Sequence, residues 1–571
     1  MPFDIEFKNV RFTYEGSDAP ALDQINLAVS PGEIVLISGP AGSGKTTLCS
    51  CILGLIPHFH DGKLEGEVIV RGYNTRRARI GGLASLVGMV FQDPESQLVT
   101  NSVADEVAFG PENLAIRREE IKARVAEALR ATRLSGFEDR EPHSLSGGEQ
   151  QACVIAAIYA MHPEIYVMDE PLANLDPEGK AQVLKVVVEL AKQRGKTLLI
   201  VEHSLEEVLP MVDRIVILDR GKIVRDGIVD EVLKSGDIPK VFQRPAIVSL
   251  GEKYRLEPLP LKSGPFYEAL QAKYSLKQVH WDIPVQGSAL KKGSPVIEFS
   301  NVSFSYKTPG ASGNGNALNG INLTIWEGEM VAVLGRNGSG KTTAMRHVIG
   351  LQQPDSGQVR VLGLDVSETP THQLARRVGF CFQNPNHQIV SFNVRDEIIF
   401  GLRAHNIDPS EYEDRIRKSL EFVNLLDAID AEVFDLGKGQ KQRVALASIL
   451  SLDPEILIVD EPTTGQDPHM SLEIFEILKR LHERGKTILL ITHHIEYAAM
   501  YAERALVLKH GQIAFDGTTR DLLEDLNLMQ ACSLEMPEST RLANLLRPHG
   551  VPGWLVEQSE LDRAIQALIG A

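Results

Sequence analysis

The sequence contains few cysteines, no long apolar stretch and no excess of positive charge. Its five cysteines form no C-x-x-C pair, so neither a zinc site nor a disulfide framework is indicated, and we expect buried thiols. No run of about 18 apolar residues could cross a bilayer, and the first residues do not resemble a secretory signal. The net charge of −17 argues against a nucleic-acid partner, because proteins that bind a phosphate backbone normally carry a basic face. With 43% hydrophobic and 24% charged residues, the composition predicts a soluble, intracellular globular protein.

The chain does contain two copies of one glycine-rich octapeptide, each after an apolar run and before a helical pattern. The copies are GPAGSGKT from Gly39 to Thr46 and GRNGSGKT from Gly335 to Thr342. Glycines allow successive backbone N–H groups to wrap phosphates, the lysine reaches the outer phosphates, and the threonine hydroxyl binds magnesium. The helix that follows points its positive N-terminus at the anion. The sequence therefore predicts two nucleoside-triphosphate sites, whose binding residues are Gly39, Gly42, Gly44, Lys45, Thr46, Thr47, Gly335, Gly338, Gly340, Lys341, Thr342 and Thr343.

These loops belong to a repeat that covers the whole chain. Lys341 follows Lys45 by 296 residues, and Asp460 follows Asp169 by 291 residues. Such nearly constant offsets predict two homologous domains, which we place at residues 1–235 and 296–526. Six prolines fall between residues 236 and 293, so we assign 236–295 to a linker with short helices. Residues 527–571 are predicted to form a C-terminal helical appendage.

Short β-branched runs alternate with helical patterns in both halves. Continuous apolar strands separated by helices predict a mostly parallel sheet with helices on both faces. The predicted fold class is therefore α/β, with two tandem phosphate-loop NTPase domains plus a small helical linker and tail. The runs are 34–37, 165–168 and 198–201 in the first half, and 331–334, 456–459 and 488–491 in the second.

The segment LSGGEQ at residues 145–150 distinguishes this chain from phosphate-loop enzymes in general. It closely resembles the signature of the ABC (ATP-binding cassette) ATPases, and the other motifs of that family follow in order in both halves. The resemblance implies that the chain hydrolyses ATP, that ATP and Mg²⁺ are its cofactors, and that Ser146, Gly147 and Gly148 contact nucleotide. It also implies that the two halves pair intramolecularly, with the phosphate loop of one half facing the signature of the other.

The same resemblance assigns roles to matched residues of the two halves. A carboxylate at the end of a buried strand can hold magnesium, and an adjacent glutamate can deprotonate the attacking water. The pairs are Tyr14 and Tyr306 for adenine stacking, Gln92 and Gln383 in the Q-loop, Asp169 and Asp460 for magnesium, Glu170 and Glu461 as general bases, Asp176 and Asp467 in the D-loop, and His203 and His493 as switch histidines. The implied magnesium ligands are Thr46, Asp169, Gln92, Thr342, Asp460 and Gln383, and the implied catalytic groups are Glu461, His493, Gln383, Glu170, His203 and Gln92.

The sequence around each Q-loop glutamine resembles the F-Q-x-P-x-x-Q segment of energy-coupling factor (ECF) transporter ATPases. Residues 91–97 are FQDPESQ and residues 382–388 are FQNPNHQ, and their continuations at 103–110 and 394–401 also agree. In that family two ATPase subunits or halves drive a transmembrane coupling protein, which holds a small membrane protein that binds a vitamin or a metal ion. The resemblance implies these two partners, no nucleic acid, and a peripheral position on the cytoplasmic face of a prokaryotic cell membrane. The acidic residues Glu95, Asp105, Asp396 and Glu397 are expected to contribute to docking of the coupling protein.

Two other functions are compatible with tandem cassettes. One is the fused ATPase of a sugar importer, and the other is a soluble ABC protein that acts on ribosomes or DNA. The acidic composition and the lack of a long coiled coil or charged arm argue against the soluble protein. The segments after the Q-loop glutamines favour the ECF type over the sugar importer.

The second half departs from the family at its signature. Residues 436–440 are LGKGQ, so the serine is absent and Lys438 replaces a glycine. If the sites are composite, this altered signature faces the site of Lys45, and the intact signature faces the site of Lys341. We therefore expect unequal sites, with hydrolysis mainly at the Lys341 site.

Overall fold

The computed structural model describes residues 3–145, 147–172, 175, 177–203, 205–235, 238, 242, 244–281, 293–306, 316–463, 466 and 468–570. They form two compact units, Met1–Phe266 and Tyr267–Ala571. The predicted contact residues Ser146, Asp176 and Asp467 lie outside the described residues.

Each unit contains ten strands among its described residues. Those of the first are β1 (Ile5–Tyr14), β2 (Leu22–Val29), β3 (Ile34–Ser38), β4 (Gly62–Val70), β5 (Tyr73–Asn74), β6 (Val87–Val90), β7 (Ile165–Asp169), β8 (Thr197–Val201), β9 (Arg214–Asp219) and β10 (Lys222–Ile228). Those of the second are β11 (Pro295–Ser305), β12 (Asn316–Trp326), β13 (Met330–Leu334), β14 (Ser356–Val361), β15 (Leu364–Asp365), β16 (Val378–Cys381), β17 (Ile456–Asp460), β18 (Thr487–Ile491), β19 (Arg504–Lys509) and β20 (Gln512–Thr518).

Helices connect these strands. The helices up to the end of the linker are α1 (Lys45–Leu53), α2 (Leu55–His58), α3 (Ile80–Ala84), α4 (Val103–Asn113), α5 (Arg118–Ala131), α6 (Gly147–Ala160), α7 (Pro177–Arg194), α8 (Leu205–Val208), α9 (Val229–Lys234), α10 (Ala246–Lys253) and α11 (Ser263–Lys273). The later helices are α12 (Lys341–Val348), α13 (Thr371–Leu374), α14 (Val394–Ala404), α15 (Tyr412–Phe422), α16 (Lys438–Leu450), α17 (Pro468–Glu483), α18 (Ile495–Tyr501), α19 (Thr519–Glu524), α20 (Leu526–Ala531), α21 (Glu538–Leu546) and α22 (Gln558–Ile569).

The larger sheet of the first unit has the strand order β10-β9-β3-β8-β7-β6. Its strands are parallel except β10, which pairs with β9 in the antiparallel direction. Every residue of β3, β7 and β8 is buried, as continuous apolar runs predict for strands covered on both faces. The carboxyl ends of parallel strands meet at one edge, and the loops at this edge carry the candidate functional residues.

A second, antiparallel sheet in the order β2-β1-β4-β5 accompanies the parallel one. The buried side chains of Phe7, Val10 and Phe12 on β1 join the core that also includes Val35 of β3 and Leu48 of α1. The sequence pattern did not predict this separate sheet, because alternation indicates a strand without specifying its partner.

The second unit repeats this arrangement. Its sheets have the orders β12-β11-β14-β15 and β16-β17-β18-β13-β19-β20. All predicted buried runs lie in the central strands of the two parallel sheets. The predicted α/β class with two tandem domains is therefore confirmed, and the cysteines are buried and free as expected.

Small helical segments follow each set of sheets. α10 begins directly after Pro245 and α21 directly after Pro537, and both prolines have the extended backbone angles of a residue that precedes a helix. In the second unit, Leu542 of α21 and Leu561 and Ile565 of α22 are fully buried.

This C-terminal appendage binds part of the linker, residues 277–279, which we call the linker strap. The backbone N–H groups of Lys277 and Val279 donate to the carbonyl oxygens of Leu568 and His549, at 2.8 and 2.9 Å. Gly550 has φ +90°, and a Cβ atom there would lie 2.1 Å from the carbonyl oxygen of Val279. The strap therefore packs directly against the backbone of the appendage.

Candidate functional site

The two phosphate loops connect β3 to α1 and β13 to α12, at the carboxyl edge of each parallel sheet. Gly39 has φ +151°, and a Cβ atom there would lie 2.0 Å from the carbonyl oxygen of Leu218. Gly335 is equally restricted by Leu508, at 2.3 Å. These close approaches explain why each loop needs glycine at its first position.

Each loop lysine folds over its own loop. The Nζ atom of Lys45 donates to the carbonyl oxygens of Gly39 and Pro40, both at 2.9 Å. Lys341 makes the matching bonds to Gly335 and Arg336, at 2.7 and 3.0 Å. Both ammonium groups thus lie beside the backbone N–H groups that would surround phosphate oxygens.

The strand-end aspartates lie next to the loop threonines. Thr342 donates its hydroxyl hydrogen to Oδ2 of Asp460 at 2.9 Å. Burial raises the pKa of Asp460 to about 6, although the Thr342 hydrogen bond opposes this shift. Burial likewise raises the pKa of Asp169 to about 6, against the hydrogen bond from Thr46.

A magnesium ion fits the chemistry of this position. The Oδ1 atom of Asp169 is buried and has no hydrogen-bond partner among the described residues. A buried carboxylate oxygen without a donor is unfavourable unless a cation or water satisfies it. Carboxylate and hydroxyl oxygens are the ligands that Mg²⁺ prefers, so the residues present suit this ion.

The glutamates that follow the aspartates have an unusual backbone. Glu170 has φ +52° and Glu461 has φ +45°, in the left-handed region that side chains other than glycine rarely occupy. Their backbone N–H groups donate to Val201 and Ile491 at the ends of the neighbouring strands, both at 2.9 Å. Such backbone strain concentrates at functional sites, where the surrounding structure fixes the side chain.

The two glutamates have different partners. In the first unit Oε1 of Glu170 lies 3.0 Å from Nε2 of His203, and Oε2 accepts from Nε2 of Gln92 at 2.5 Å. In the second unit Oε2 of Glu461 accepts the backbone N–H of His493 at 3.3 Å and lies 2.8 Å from Nδ1 of the same residue. Burial raises the pKa of Glu461, but the neighbouring His493 and Lys341 outweigh it and hold the pKa below its ordinary value.

The Q-loop glutamines also differ. Gln92 is half-buried against Glu170, whereas Gln383 is exposed. The structure thus brings Gln92, Glu170 and His203 together in one hydrogen-bonded group.

The predicted adenine-stacking tyrosines lie at the rim of each phosphate loop. The hydroxyl of Tyr14 is 3.2 Å from Oγ1 of Thr47, and that of Tyr306 is 3.1 Å from Oγ1 of Thr343. Tyr14 is 36% exposed and Tyr306 is 45% exposed, so part of each residue is accessible to solvent.

The signature segments begin α6 and α16. Gly147 is the first residue of α6, and a Cβ atom on Gly148 would be 3.7 Å from Leu175. In the second unit the backbone N–H of Gly437 donates to Oε1 of Gln440 at 3.1 Å, which caps α16. A Cβ atom on Gly439 would lie 2.0 Å from the terminal methyl group of Met470, so this flexible side chain would have to move to admit it. The altered signature therefore keeps a helix N-terminus without a serine hydroxyl.

The last glutamine of each F-Q-x-P-x-x-Q segment forms hydrogen bonds that hold its loop in place. Gln97 bonds the loop to β6 of the parallel sheet, and Gln388 bonds it to α16. Oε1 of Gln97 accepts from the backbone of Phe91 at 2.7 Å, and its Nε2 donates to Met89 at 3.2 Å. Gln388 accepts from Phe382 at 3.2 Å and donates to Ala445 on α16 at 3.0 Å.

One of the four acidic residues that were expected to contribute to docking has a structural role instead. Glu397 is 3% exposed, and its Oε2 accepts the backbone N–H groups of Val390 and Ser391, both at 2.9 Å. The expectation that Glu397 contributes to docking is wrong, because its carboxylate is buried and bonded to these two backbone amides. Asp396 is exposed; its backbone N–H donates to Oδ1 of Asn393, the residue that caps α14, and its carboxylate accepts from Nδ2 of Asn393.

Glu202 is a residue that the motif analysis missed. It follows β8, is 4% exposed, and accepts the backbone N–H groups of Leu172 and His203, at 2.9 and 3.2 Å. The sequence carried no signal for this role, because a carboxylate that accepts backbone N–H groups has the same local pattern as one exposed to solvent.

Comparison with known proteins identifies the family of these domains. The family profile described as ABC transporter matches residues 22–173 and 318–464. A protein of Caldanaerobacter subterraneus named "Putative ABC transporter ATP-binding protein" is 38% identical, over 95% of this chain and 96% of its own length. A protein of Methanosarcina mazei with the same description is 37% identical, over 99% of this chain and 97% of its own.

Two solved structures resemble single cassettes of this chain. One is cbiO1 from Clostridium perfringens, described as part of the ABC transporter complex cbiONQ. It is 28% identical, the match covers 44% of this chain and 99% of that chain, and the TM-score is 0.39. The other is an ATP-binding cassette in a post-hydrolysis state with ADP and Pi, with 29% identity, 39% and 98% covered, and a TM-score of 0.36.

Proposed function

Because the chain belongs to the ABC transporter family of ATP-binding proteins, we propose that it is the ATPase of an ECF-type importer for a vitamin or a metal ion. ATP hydrolysis is the activity of the family, and the chain carries two complete phosphate loops for it. In this proposal the chain works at the cytoplasmic face of the membrane with a transmembrane coupling protein and a small substrate-binding membrane protein. No helix among the described residues is both long and apolar enough to cross a membrane.

The proposed roles follow from the geometry of each site. Lys45 and Lys341 exchange their bonds to loop carbonyls for bonds to the outer phosphates. Magnesium, held by the threonine and aspartate oxygens, supplies charge neutralisation of the phosphates. Glu170 and Glu461 take a proton from the attacking water, and His203 and His493 hold these carboxylates in position.

The proposal that the two sites are unequal also follows from the altered signature. The family resemblance implies that the signature with Ser146, Gly147 and Gly148 serves the nucleotide of Lys341, and that the altered signature with Gly437 and Lys438 serves the nucleotide of Lys45. Loss of a serine hydroxyl removes a charge-assisted hydrogen bond, and a flexible ammonium does not reproduce a fixed donor. The Lys45 site therefore holds ATP longer, and the Lys341 site turns it over.

The observation that carries the ECF assignment is the duplicated F-Q-x-P-x-x-Q segment together with its internal bonds. Gln97 and Gln388 occupy matching places and hold the loops in similar positions. Glu106 and Glu397 each accept two backbone N–H groups of the turn that precedes their helix, at 2.8 to 2.9 Å. These two glutamates are thereby turned inward.

Apolar side chains are left facing outward at these turns. Val99 is 63% exposed and Val390 is 62% exposed, and Phe392 is 77% exposed. Phe392 lies 5.9 Å, between ring centroids, from Phe434, which is 66% exposed. We call Phe392 and Phe434 the aromatic pair. Exposed apolar groups beside one another favour a protein partner, so this pair is the proposed contact of the coupling protein in the second half.

The experiment is copurification and reconstitution of the tagged chain with the coupling protein and the small membrane protein. Phe392→Ser with Phe434→Ser should weaken assembly on membranes at least tenfold while ATP binding by the free chain stays unchanged. The matched control is Leu526→Ser, an exposed apolar residue of α20 that is 47% exposed and outside the Q-loop region. The proposal is contradicted if the wild type, the double variant and Leu526→Ser assemble equally well. It is also contradicted if the chain associates with ribosomes or nucleic acid in place of membranes.

A further inference from the structure

The buried carboxylate of Glu202 distinguishes the first site from the second. The second half has Thr492 at the matching position, directly before the switch histidine. Thr492 is fully buried, and its hydroxyl accepts the backbone N–H of His494 at 3.0 Å. The two halves therefore use this position differently.

The difference changes the acceptor of one backbone N–H group. In the second half, the N–H of His493 donates to Glu461 at 3.3 Å. In the first half, the N–H of His203 donates to Glu202 at 3.2 Å. In the first half, therefore, Glu202 accepts the backbone N–H whose counterpart in the second half is accepted by the proposed general base.

The carboxylates of Glu170 and Glu461 also differ in their side-chain partners. Oε2 of Glu461 faces both the backbone N–H and Nδ1 of His493, whereas Oε1 of Glu170 lies beside Nε2 of His203 and Oε2 accepts from Gln92. Glu202 also accepts the N–H of Leu172 at 2.9 Å, in the segment that follows Glu170. One carboxylate thereby connects the segment after the base to the segment of the switch histidine.

We propose that Glu202 is a positioning residue of the first site, which takes the backbone N–H of His203 so that Glu170 bonds Gln92. Through this arrangement the Q-loop, where the coupling protein is proposed to dock, contacts the catalytic carboxylate directly in the first half. The inference depends on the proposed roles of Glu170 and Gln92. Burial raises the pKa of Glu202 to about 8, and the nearby Glu170 adds to the shift, which is the cost of placing a carboxyl group here.

A double-mutant cycle tests the proposal in the full chain. The background is Glu461→Gln, which leaves the first site as the only one with its proposed base. Single-turnover ATP hydrolysis is measured for Glu202→Thr, which installs the second-half residue, for Gln92→Ala, and for both together. If Glu202 acts through the Glu170–Gln92 bond, each single variant lowers the rate about tenfold and the double variant is no slower than the slower single variant. Independent effects, which multiply to about a hundredfold, overturn it.

Two further variants separate this role from simple support of the fold. Glu202→Gln has the same size but only one acceptor oxygen, so an intermediate rate is expected. Glu207→Gln is the control, because Glu207 lies near Glu202 and accepts from Lys180 at 3.3 Å, but makes no hydrogen bond to Leu172 or His203 in the described part of the chain. It should keep the rate within about twofold. A wild-type rate in both Glu202 variants, or an equal loss in Glu207→Gln, also overturns the proposal.

A third measurement distinguishes failure of this inference from failure of the proposed function. Glu170→Gln in the same background should abolish first-site turnover. If it does not, the assignment of the base has failed. If it does, and the cycle is additive, the role of Glu202 alone has failed.

Discussion

The Nδ1 atom of His493 lies 2.8 Å from Oε2 of Glu461, whereas the matching contact of the first half is made by Nε2 of His203 to Glu170 at 3.0 Å. The two nitrogens lie on different sides of the imidazole ring, so the two histidines turn different edges towards their glutamates. In the second half, Nε2 of His493 makes no hydrogen bond within the described part of the chain. In the first half this nitrogen is already engaged, which agrees with the proposed assignment of turnover to the second site.

The first prediction concerns the inequality of the sites. Glu461→Gln should lower ATP turnover of the assembled transporter more than Glu170→Gln does. A serine hydroxyl bonded to a charged phosphate contributes about 1.5 to 3 kcal/mol, or roughly a ten- to hundredfold rate difference if it acts only in the transition state. Steady-state phosphate release from the two variants is the measurement. Greater damage by Glu170→Gln contradicts the assignment, and equal losses indicate strictly coupled sites.

The second prediction separates the ring of Tyr306 from its hydroxyl. The hydroxyl bonds Thr343 and Gln352 at 3.1 and 3.0 Å, and part of the residue is accessible to solvent. Tyr306→Phe keeps the stacking surface and should change ATP affinity by no more than about threefold. Tyr306→Ala should weaken binding by roughly tenfold, because stacking of a base on an aromatic ring contributes about 1 to 3 kcal/mol. Fluorescent-nucleotide titration decides between them, and equal losses in both variants would assign the effect to the hydroxyl.

Much of the fold and of the phosphate sites could be predicted from local patterns. The apolar runs predicted the central strands, and the phosphate-loop spacing predicted the position of Lys45, since both depend on neighbouring residues along the chain. The roles of Glu202 and Glu397 could not be predicted in this way. A carboxylate that accepts backbone N–H groups looks the same in sequence as one exposed to solvent, and only the three-dimensional path of the chain distinguishes them. The linker strap was missed for the same reason, because its partners lie far along the chain.

The third prediction concerns the pH dependence of stability. Glu202 has a pKa of about 8 in the folded protein, above the ordinary value of 4.5. Its neutral form therefore contributes stability that is fully present below pH 4.5 and is lost as the pH rises through 8. Glu170 and Glu207 favour the neutral form, and Lys180 favours the charged form.

Glu202→Gln removes this titration. Between about pH 5.5 and 7.5 the unfolding free energy of the wild type should fall faster than that of the variant, by about 1.4 kcal/mol per pH unit. Differential scanning calorimetry of both proteins over this range measures the two slopes. Parallel slopes would show that Glu202 has an ordinary pKa.

The fourth prediction concerns the linker strap. Gly550→Ala places a methyl group against the carbonyl of Val279 and should release residues 277–279 from the appendage. Hydrogen exchange at the amides of Lys277 and Val279 should then accelerate at least tenfold. Gly485→Ala is the control, because Gly485 also has a positive φ of +85° but open space around its Cβ position. If both variants exchange at the wild-type rate, the strap is not held by this contact.

The strap also has a consequence for the order in which the molecule is made. Lys277 is synthesised 291 residues before Leu568, the residue whose carbonyl it binds. Synthesis adds about 5 to 20 residues per second, and domains generally fold as units while it proceeds. The first half and most of the second are therefore synthesised before Leu568 emerges. Residues 277–279 therefore lack this partner throughout translation of the second cassette. Their bond to Leu568 forms late, and a ribosome paused within the last helix produces a protein with both nucleotide sites but without this contact.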